Sequence, residues 1–210
     1  MKKNSKSIIV QEAIKLFNTQ GYSGTSLRDI AKKANVNIAN IAYYFDNKQG
    51  LLEFCFTTFF EQYLSEMEEA VAVLDEGAMA SLRNLVSNLI YFQCKNIHLT
   101  RFIIREMSID SQIVREIMTT YSLKEKFYFQ KILERGIEKG EFKPHSSNYL
   151  IIQLKSLLNM PFLYSHYLSE VLHVLPHERY FADQYIREIF QWMESSLFTE
   201  AKFPEEIVVS

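Results

Sequence analysis

Asn37 and Asn40 lie three residues apart in the stretch NVNIANIAYYFDNK (35–48), among side chains suited to a nucleic-acid duplex. An asparagine amide can pair in bidentate fashion with adenine, and an isoleucine such as Ile38 can pack on a thymine methyl. Tyr43 projects from the same side. Tyr44 and Lys48 follow at the exit, where they suit phosphate contacts that position a helix without reading sequence. The rest of the chain carries no comparably specific signal.

Such a set needs a frame, and the preceding residues supply one. Thr25 and Ser26 are N-cap types, counted here with the expected DNA-contact set, and Asp29 falls in the first turn, where a negative charge suits the helix dipole. Leu27, Ile30, Ala31 and Ala34 recur at helical spacing and give one small apolar face. Asn35 stands where the chain must reverse, and asparagine tolerates the left-handed conformation. The second helix is expected to begin at Val36 or Asn37, with Val36 and Ile41 facing inward. This is the order of a helix-turn-helix whose second helix enters a major groove. A plain helical hairpin with a polar outer face is the alternative.

Charge is distributed accordingly. Residues 1–50 hold eight Lys and Arg against three acidic residues, a net of +5, while the remaining 160 residues carry a net of −7. The basic end is the end with the motif, so the near-neutral total does not argue against a polyanionic partner.

Residues 4–51 resemble the DNA-binding domain of TetR-family transcriptional regulators. The family's opening helix with its aromatic and G-[YF] turn is matched by Ala13, Leu16, Phe17, Gly21 and Tyr22. Its T-[ST]-x-x-x-I-A-x-x-A-G-V run is matched at Thr25, Ser26, Ile30, Ala31, Ala34 and Val36, and Y-[HY]-F-x-x-K-x-x-L at Tyr43, Tyr44, Phe45, Lys48 and Leu51. Asn35 and Ala39 depart from frequent family glycines. The resemblance implies a homodimer on palindromic double-stranded DNA, with the last two long helices as interface: Tyr149, Ile152, Leu157 and Met160 in one, Tyr185, Ile189, Trp192, Met193 and Ser196 in the other. Ordinary core positions would show the same spacing. Many relatives release DNA when a small apolar effector fills the body; Phe92, Phe102, Phe127, Tyr128, Phe162 and Tyr164 could line such a cavity or simply form core.

Two further stretches, TRFIIREMSIDSQIVREIMTTYSLKEK (100–126) and QLKSLLNMPFLY with SEVLHVLPHE (153–178), are similar to RefZ-type regulators of endospore-forming bacteria. That similarity implies nucleoid-associated binding near the chromosome origin and restraint of the division protein FtsZ. Arg101, Arg105, Glu106, Asp110, Arg115 and Glu116 crowd both charge signs into sixteen residues. They form either a solvated face laced by local pairs or a docking surface for a protein partner, with Arg101, Arg105, Arg115 and Glu116 its candidate residues.

The remaining sequence bounds the architecture. Sixteen Phe and twelve Tyr supply core, only four Pro and six Gly interrupt it, and most of the chain reads at a period of 3.6. The expectation is an all-α fold, with helices near 4–20, 25–34, 37–43, 48–73, 77–95, 98–107, 110–139, 146–166 and 179–199. A head over 1–50 precedes a regulatory and dimerisation body over 51–203 and a tail over 204–210. Pro161 should kink or end its helix. No apolar run reaches the length of a membrane span, so a cytoplasmic protein with reduced Cys55 and Cys94 is expected. An enzyme is not: the five histidines are scattered, His173 and His177 are separated by Pro176 with no third ligand, and neither a phosphate-binding glycine loop nor G-x-S-x-G occurs. No cofactor or metal is expected.

Overall fold

The computed structural model describes residues 5–199. Among them are ten α-helices: α1 (Ser5–Gly24), α2 (Leu27–Ala34), α3 (Ile38–Phe45), α4 (Lys48–Ala72), α5 (Ala78–Lys95), α6 (Ile97–Ile109), α7 (Gln112–Glu138), α8 (Ser147–Leu163), α9 (Ser165–Glu170) and α10 (Arg179–Ser196). A 3₁₀ turn, Leu74–Glu76, joins α4 to α5. The only β pairing among the described residues is an isolated bridge between Phe142 and Phe198. The all-α expectation holds, while the expected tail at 204–210 lies outside the described residues.

Two expected helices are redrawn. α1 breaks where its end near residue 20 is expected: Gly21 adopts φ 78° and ψ 161°, a conformation glycine reaches without steric cost, and a last turn to Gly24 follows. The second helix of the motif starts at Ile38, because Asn37 is its extended N-cap. The stretch expected as one helix over 146–166 divides at Tyr164 into α8 and α9. Pro161 lies inside α8 two residues before its end; it has no N–H for the Leu157 carbonyl, which accepts instead from the Tyr185 hydroxyl at 2.7 Å.

One continuous core links every helix except the short α9. Phe56, Phe59, Phe60 and Tyr63 on α4 interlock with Phe92 on α5 and Tyr121 on α7, with ring centroids 5.1–6.3 Å apart. Tyr63 also donates to the buried Glu125 carboxylate at 3.1 Å, and Lys155 of α8 reaches the other oxygen of that carboxylate. Burial and the adjacent Glu125 push the Tyr63 phenol well above its ordinary range. An ion pair this enclosed adds little net stability over an apolar filling, yet losing one partner would strand a charge. It therefore fixes the register of α4, α7 and α8.

The end of α7 closes the body. Phe142 is buried and stacks on Phe198 at 5.4 Å, while Glu141 caps a helix 63 residues away, accepting from Ala78 N–H at 3.1 Å and Met79 N–H at 2.9 Å. Gly77 precedes α5 and has no side chain to cap it, so the cap comes from a distant residue. Burial holds the thiols of both Cys55 and Cys94 up at about 12, which keeps them as inert space-fillers.

The outer face of α8 and α10 behaves differently. Tyr149 is 71% exposed and Ile152 60%, Met160 is also exposed, and Leu157, Tyr185 and Trp192 are half-buried. An apolar groove of about 730 Å³ runs between Ile152, Leu157, Met160, Phe181, Tyr185 and Trp192. Two residues expected on this face are not on it. Ile189 and Met193 are 2% and 0% exposed and pack inward, because α10 turns that stripe toward the core. The six aromatics expected around a cavity also separate: Phe92, Phe102 and Phe162 are core, Phe127 and Tyr164 are on the surface, and Tyr128 is half-buried. Placing a carboxylate on the inward stripe of α10 should therefore destabilise the body. Ile189→Glu is expected to cost about 4 kcal/mol or more, a fall in melting midpoint of roughly 10 °C, read by thermal melting of the purified chain.

Candidate nucleic-acid interface

Local sequence explains how the motif is held. Ser26 is the extended N-cap of α2: its hydroxyl accepts from Asp29 N–H at 3.1 Å, and the Asp29 carboxylate accepts from Ser26 N–H at 3.1 Å and from the Ser26 hydroxyl at 2.6 Å. The two amide bonds make a reciprocal capping box. The Ser26 hydroxyl, with its amide, holds the Asp29 carboxyl below its ordinary range. Asn35 takes the left-handed conformation at φ 52° and ψ 49°, and its N–H bonds back to Ala31 and Lys32 carbonyls. The turn anticipated at Asn35 is there.

α3 presents two faces. Ile41 and Phe45 are buried against the neighbouring helices, while Ile38, Ala39, Asn40, Ala42 and Tyr43 are exposed. Tyr43 is 83% exposed and rests edge-on against Tyr44 at 5.1 Å. After Phe45 the chain reverses at Asp46 (φ 64°), and Asn47 caps α4 by accepting from Gly50 N–H at 3.0 Å. A β-carbon at Gly50 would sit 2.1 Å from the Phe45 carbonyl oxygen, so the α3–α4 corner closes this tightly only with glycine.

Two residues of the expected contact set occupy other roles. Thr25 is 2% exposed and its hydroxyl donates to the Gly21 carbonyl at 2.8 Å, so it joins α1 to α2 instead of facing outward. Asn37 uses its side-chain oxygen to cap α3, accepting from Ala39 N–H at 2.9 Å. Among the exposed side chains of the α3 helix proper, Asn40 alone then carries an amide. Ser26, Ile38, Asn40 and Tyr43 remain on the outer surface, and Tyr44 is half-buried behind Tyr43.

Lys48, at the first position of α4, is half-buried with its Nζ 4.3 Å from the centre of the Tyr22 ring. Burial lowers its ammonium from the usual range, and Glu106 of α6 works in the opposite sense. Tyr22 and Glu106 thus belong to the surroundings of the site, though 26 and 58 residues from Lys48 in sequence; only the G-[YF] turn hinted at Tyr22.

The charged junction does not form one surface. Arg105 is turned toward α1, where it donates to the Phe17 carbonyl and, at 3.1 Å, to the Asn18 carbonyl. Glu106 is 6% exposed and Arg101 half-buried. Arg115 and Glu116 are exposed: Arg115 pairs with Asp110 at 3.1 Å, and Glu116 accepts from Gln112 at 2.9 Å. Two hydrogen bonds of the Arg105 guanidinium are thus made to α1, and Arg115 and Glu116 are the exposed members of the expected set.

Comparisons with known proteins bear on this geometry. Residues 9–55 match the family model described as bacterial regulatory proteins, tetR family. Across 196 residues the chain is 44% identical to a Bacillus subtilis (strain 168) protein described as "Probable HTH-type transcriptional regulator YttP", covering 93% of this chain and 95% of that one. A 48-residue match, 46% identical, spans 23% of the chain and 26% of IcaR from Staphylococcus aureus (strain Newman), described as a negative transcriptional regulator of the biofilm operon icaADBC. Among solved structures, PfmR from Thermus thermophilus, a TetR family transcriptional regulator, covers 90% of this chain and 97% of its own at 20% identity, with a TM-score of 0.76. KstR2 of Mycobacterium tuberculosis reaches the same TM-score at 14% identity, covering 95% and 97%. At such identities the structural likeness speaks to the fold.

Proposed function

This chain belongs to the TetR family of bacterial transcriptional regulators, DNA-binding proteins, and from that premise we propose that it binds a palindromic operator as a homodimer. α3 is the recognition helix in this reading. The observation that carries it is the capped, tightly turned pair α2–α3 with an outward face of Ile38, Ala39, Asn40 and Tyr43. Asn40 reads adenine, Ile38 and Ala39 pack on thymine methyls, and Tyr43, Tyr44 and Lys48 position the helix on phosphates. Because only one exposed amide remains on α3, apolar contacts carry much of the readout, and A·T pairs are favoured at the centre of each half-site. Ser26, at the N-terminus of α2, stands where a backbone phosphate is met as the first helix crosses the duplex.

Two-fold recognition requires two heads held together. The exposed apolar strip of Tyr149, Ile152, Leu157, Met160, Tyr185 and Trp192 supports α8 and α10 as the self-association face, since a patch of this kind left in water is a typical interaction surface. Ile189 and Met193 support it from beneath.

The regulated process is read from the similarity of 100–126 and 153–178 to RefZ-type regulators. In that reading the protein sits at palindromes near the chromosome origin, on the nucleoid, and its body restrains FtsZ assembly during division. The exposed Arg115 and Glu116, with Arg101 at the margin, then form the partner surface on the α6–α7 corner. An effector-released repressor is the competing reading; the open apolar groove beside α9 is the observation in its favour.

Three measurements test these assignments. On the palindrome selected from a random pool by the wild-type protein, Asn40→Ala is expected to cost roughly 1–3 kcal/mol and relax sequence preference, whereas Lys48→Ala weakens all sequences alike and flattens the salt slope by about one phosphate contact. An unchanged specific-to-non-specific ratio in Asn40→Ala would remove α3 from the groove. Ile152→Glu should convert dimer to monomer in light scattering while the melting transition stays cooperative; a mutant that stays dimeric moves the interface elsewhere. Arg115→Ala and Glu116→Lys should preserve melting and operator binding yet abolish the division phenotype of overproduction. If both mutants still perturb division, the corner is not the partner surface.

A further inference from the structure

The Gly21 kink interrupts the backbone ladder of α1 beside two neighbouring side chains of α6, Arg105 and Glu106. A regular helix through Gly21 would pair the Tyr22 N–H with the Asn18 carbonyl, four residues back. With Gly21 at ψ 161° that amide points away. The Asn18 carbonyl instead accepts from Arg105 Nη1 at 3.1 Å, and the second guanidinium nitrogen serves the Phe17 carbonyl. The Tyr22 amide acts on the Glu106 carboxyl and favours its charge.

Further contacts tie the same place together. The Asn18 side chain donates to the His98 carbonyl, at the start of α6, at 2.7 Å, and Phe17 stacks on Phe102 at 4.9 Å. Glu106 is costly where it stands. It is only 6% exposed, its Oε1 accepts no hydrogen bond among the described residues, and Arg105 Nη2, 3.8 Å from that oxygen, donates to the Phe17 carbonyl. Burial raises the carboxyl above the usual carboxylate range against the pull of Arg105 and Lys48. A group left this poorly satisfied marks a constraint other than bulk stability.

We propose that Arg105 and Glu106 are positioning residues for DNA binding, a splint carried by the body that takes the two ends of the broken α1 hydrogen bond and so fixes the angle at which the helix-turn-helix leaves α1. This rests on the operator-binding reading above. Tyr22, held by its backbone, in turn supports Lys48 at the head of α4. In a dimer the angle matters most when both heads must engage at once: a loosened kink leaves each half-site contact intact but spoils their simultaneous fit.

The test uses the full-length chain and two probes, the selected palindrome and a duplex carrying one half-site. Glu106→Met keeps side-chain volume and removes the acceptor, Glu106→Gln keeps an acceptor oxygen, and Arg105→Ala removes the guanidinium. Arg105→Ala and Glu106→Met are expected to weaken the palindrome at least tenfold and the half-site less than threefold, with melting midpoints within a few degrees of wild type. Glu106→Gln stays within threefold on both. In the free protein, hydrogen exchange at the Tyr22 amide should quicken at least tenfold in Glu106→Met and not in Glu106→Gln. Unchanged Tyr22 exchange in Glu106→Met overturns the proposal, as does parallel loss on both probes in step with the melting midpoint. A wild-type protein showing no preference for the palindrome would defeat the operator reading instead, and Tyr22 exchange would still decide the splint.

Discussion

The ring of Phe17 is where the molecule is joined. It is fully buried, stacks on Phe102 of α6 at 4.9 Å and lies 5.5 Å from Tyr22, so one side chain belongs at once to the head and to the body. Burying a phenylalanine is worth roughly 1.5–3 kcal/mol, and its aromatic neighbours add about 0.5–1.5 kcal/mol each. A recognition helix is useful only if its direction is held. Here that direction passes from α3 through Ile41 and Phe45 into the core shared with α1 and α4, and from α1 through Phe17 into α6.

Polar groups refine what the aromatic contacts begin. Arg105 satisfies carbonyls at the α1 break, Glu141 supplies the cap that Gly77 cannot, and Glu125 gathers Tyr63 and Lys155 at the centre of the body. Each is a charged side chain meeting a group from a distant part of the sequence. Such pairs contribute more to register than to net stability, because desolvation offsets much of the attraction while a missing partner is expensive. The body is thus a tight aromatic core with a few polar pins.

The surface divides along the same lines. The outward face of α3 is small and mostly apolar with one free amide, which suits close approach to bases. The outward face of α8 and α10 is broad and apolar, which suits a second protein surface. Nothing about helical spacing distinguishes these two faces; their flanking residues do. α3 is bracketed by caps, a left-handed turn and basic side chains on α2 and α4, whereas α8 carries Pro161 near its end and leads to the short α9 and an open groove.

Much of the head was determined by the sequence itself. Ser26 and Asp29 make a capping box, Asn35 makes the turn, and alternating faces of α2 and α3 separate Ile30, Ala31 and Ile41 from Asn40 and Tyr43, because these are interactions between residues no more than four apart. The all-α class followed from periodicity for the same reason. Thr25 and Asn37 stand at the corners the sequence marks, but range alone does not assign their side chains: a hydroxyl or amide there can bond the nearby backbone, as to the Gly21 carbonyl and the Ala39 N–H, or face outward. Only the tertiary structure decided that Ile189 and Met193 face inward, that Arg105 grips α1, and that Glu106 lies buried beside Tyr22. Amphipathic spacing says that a helix has a buried stripe; which neighbour covers it, and which charge finds a partner 87 residues away, is settled by how the helices pack.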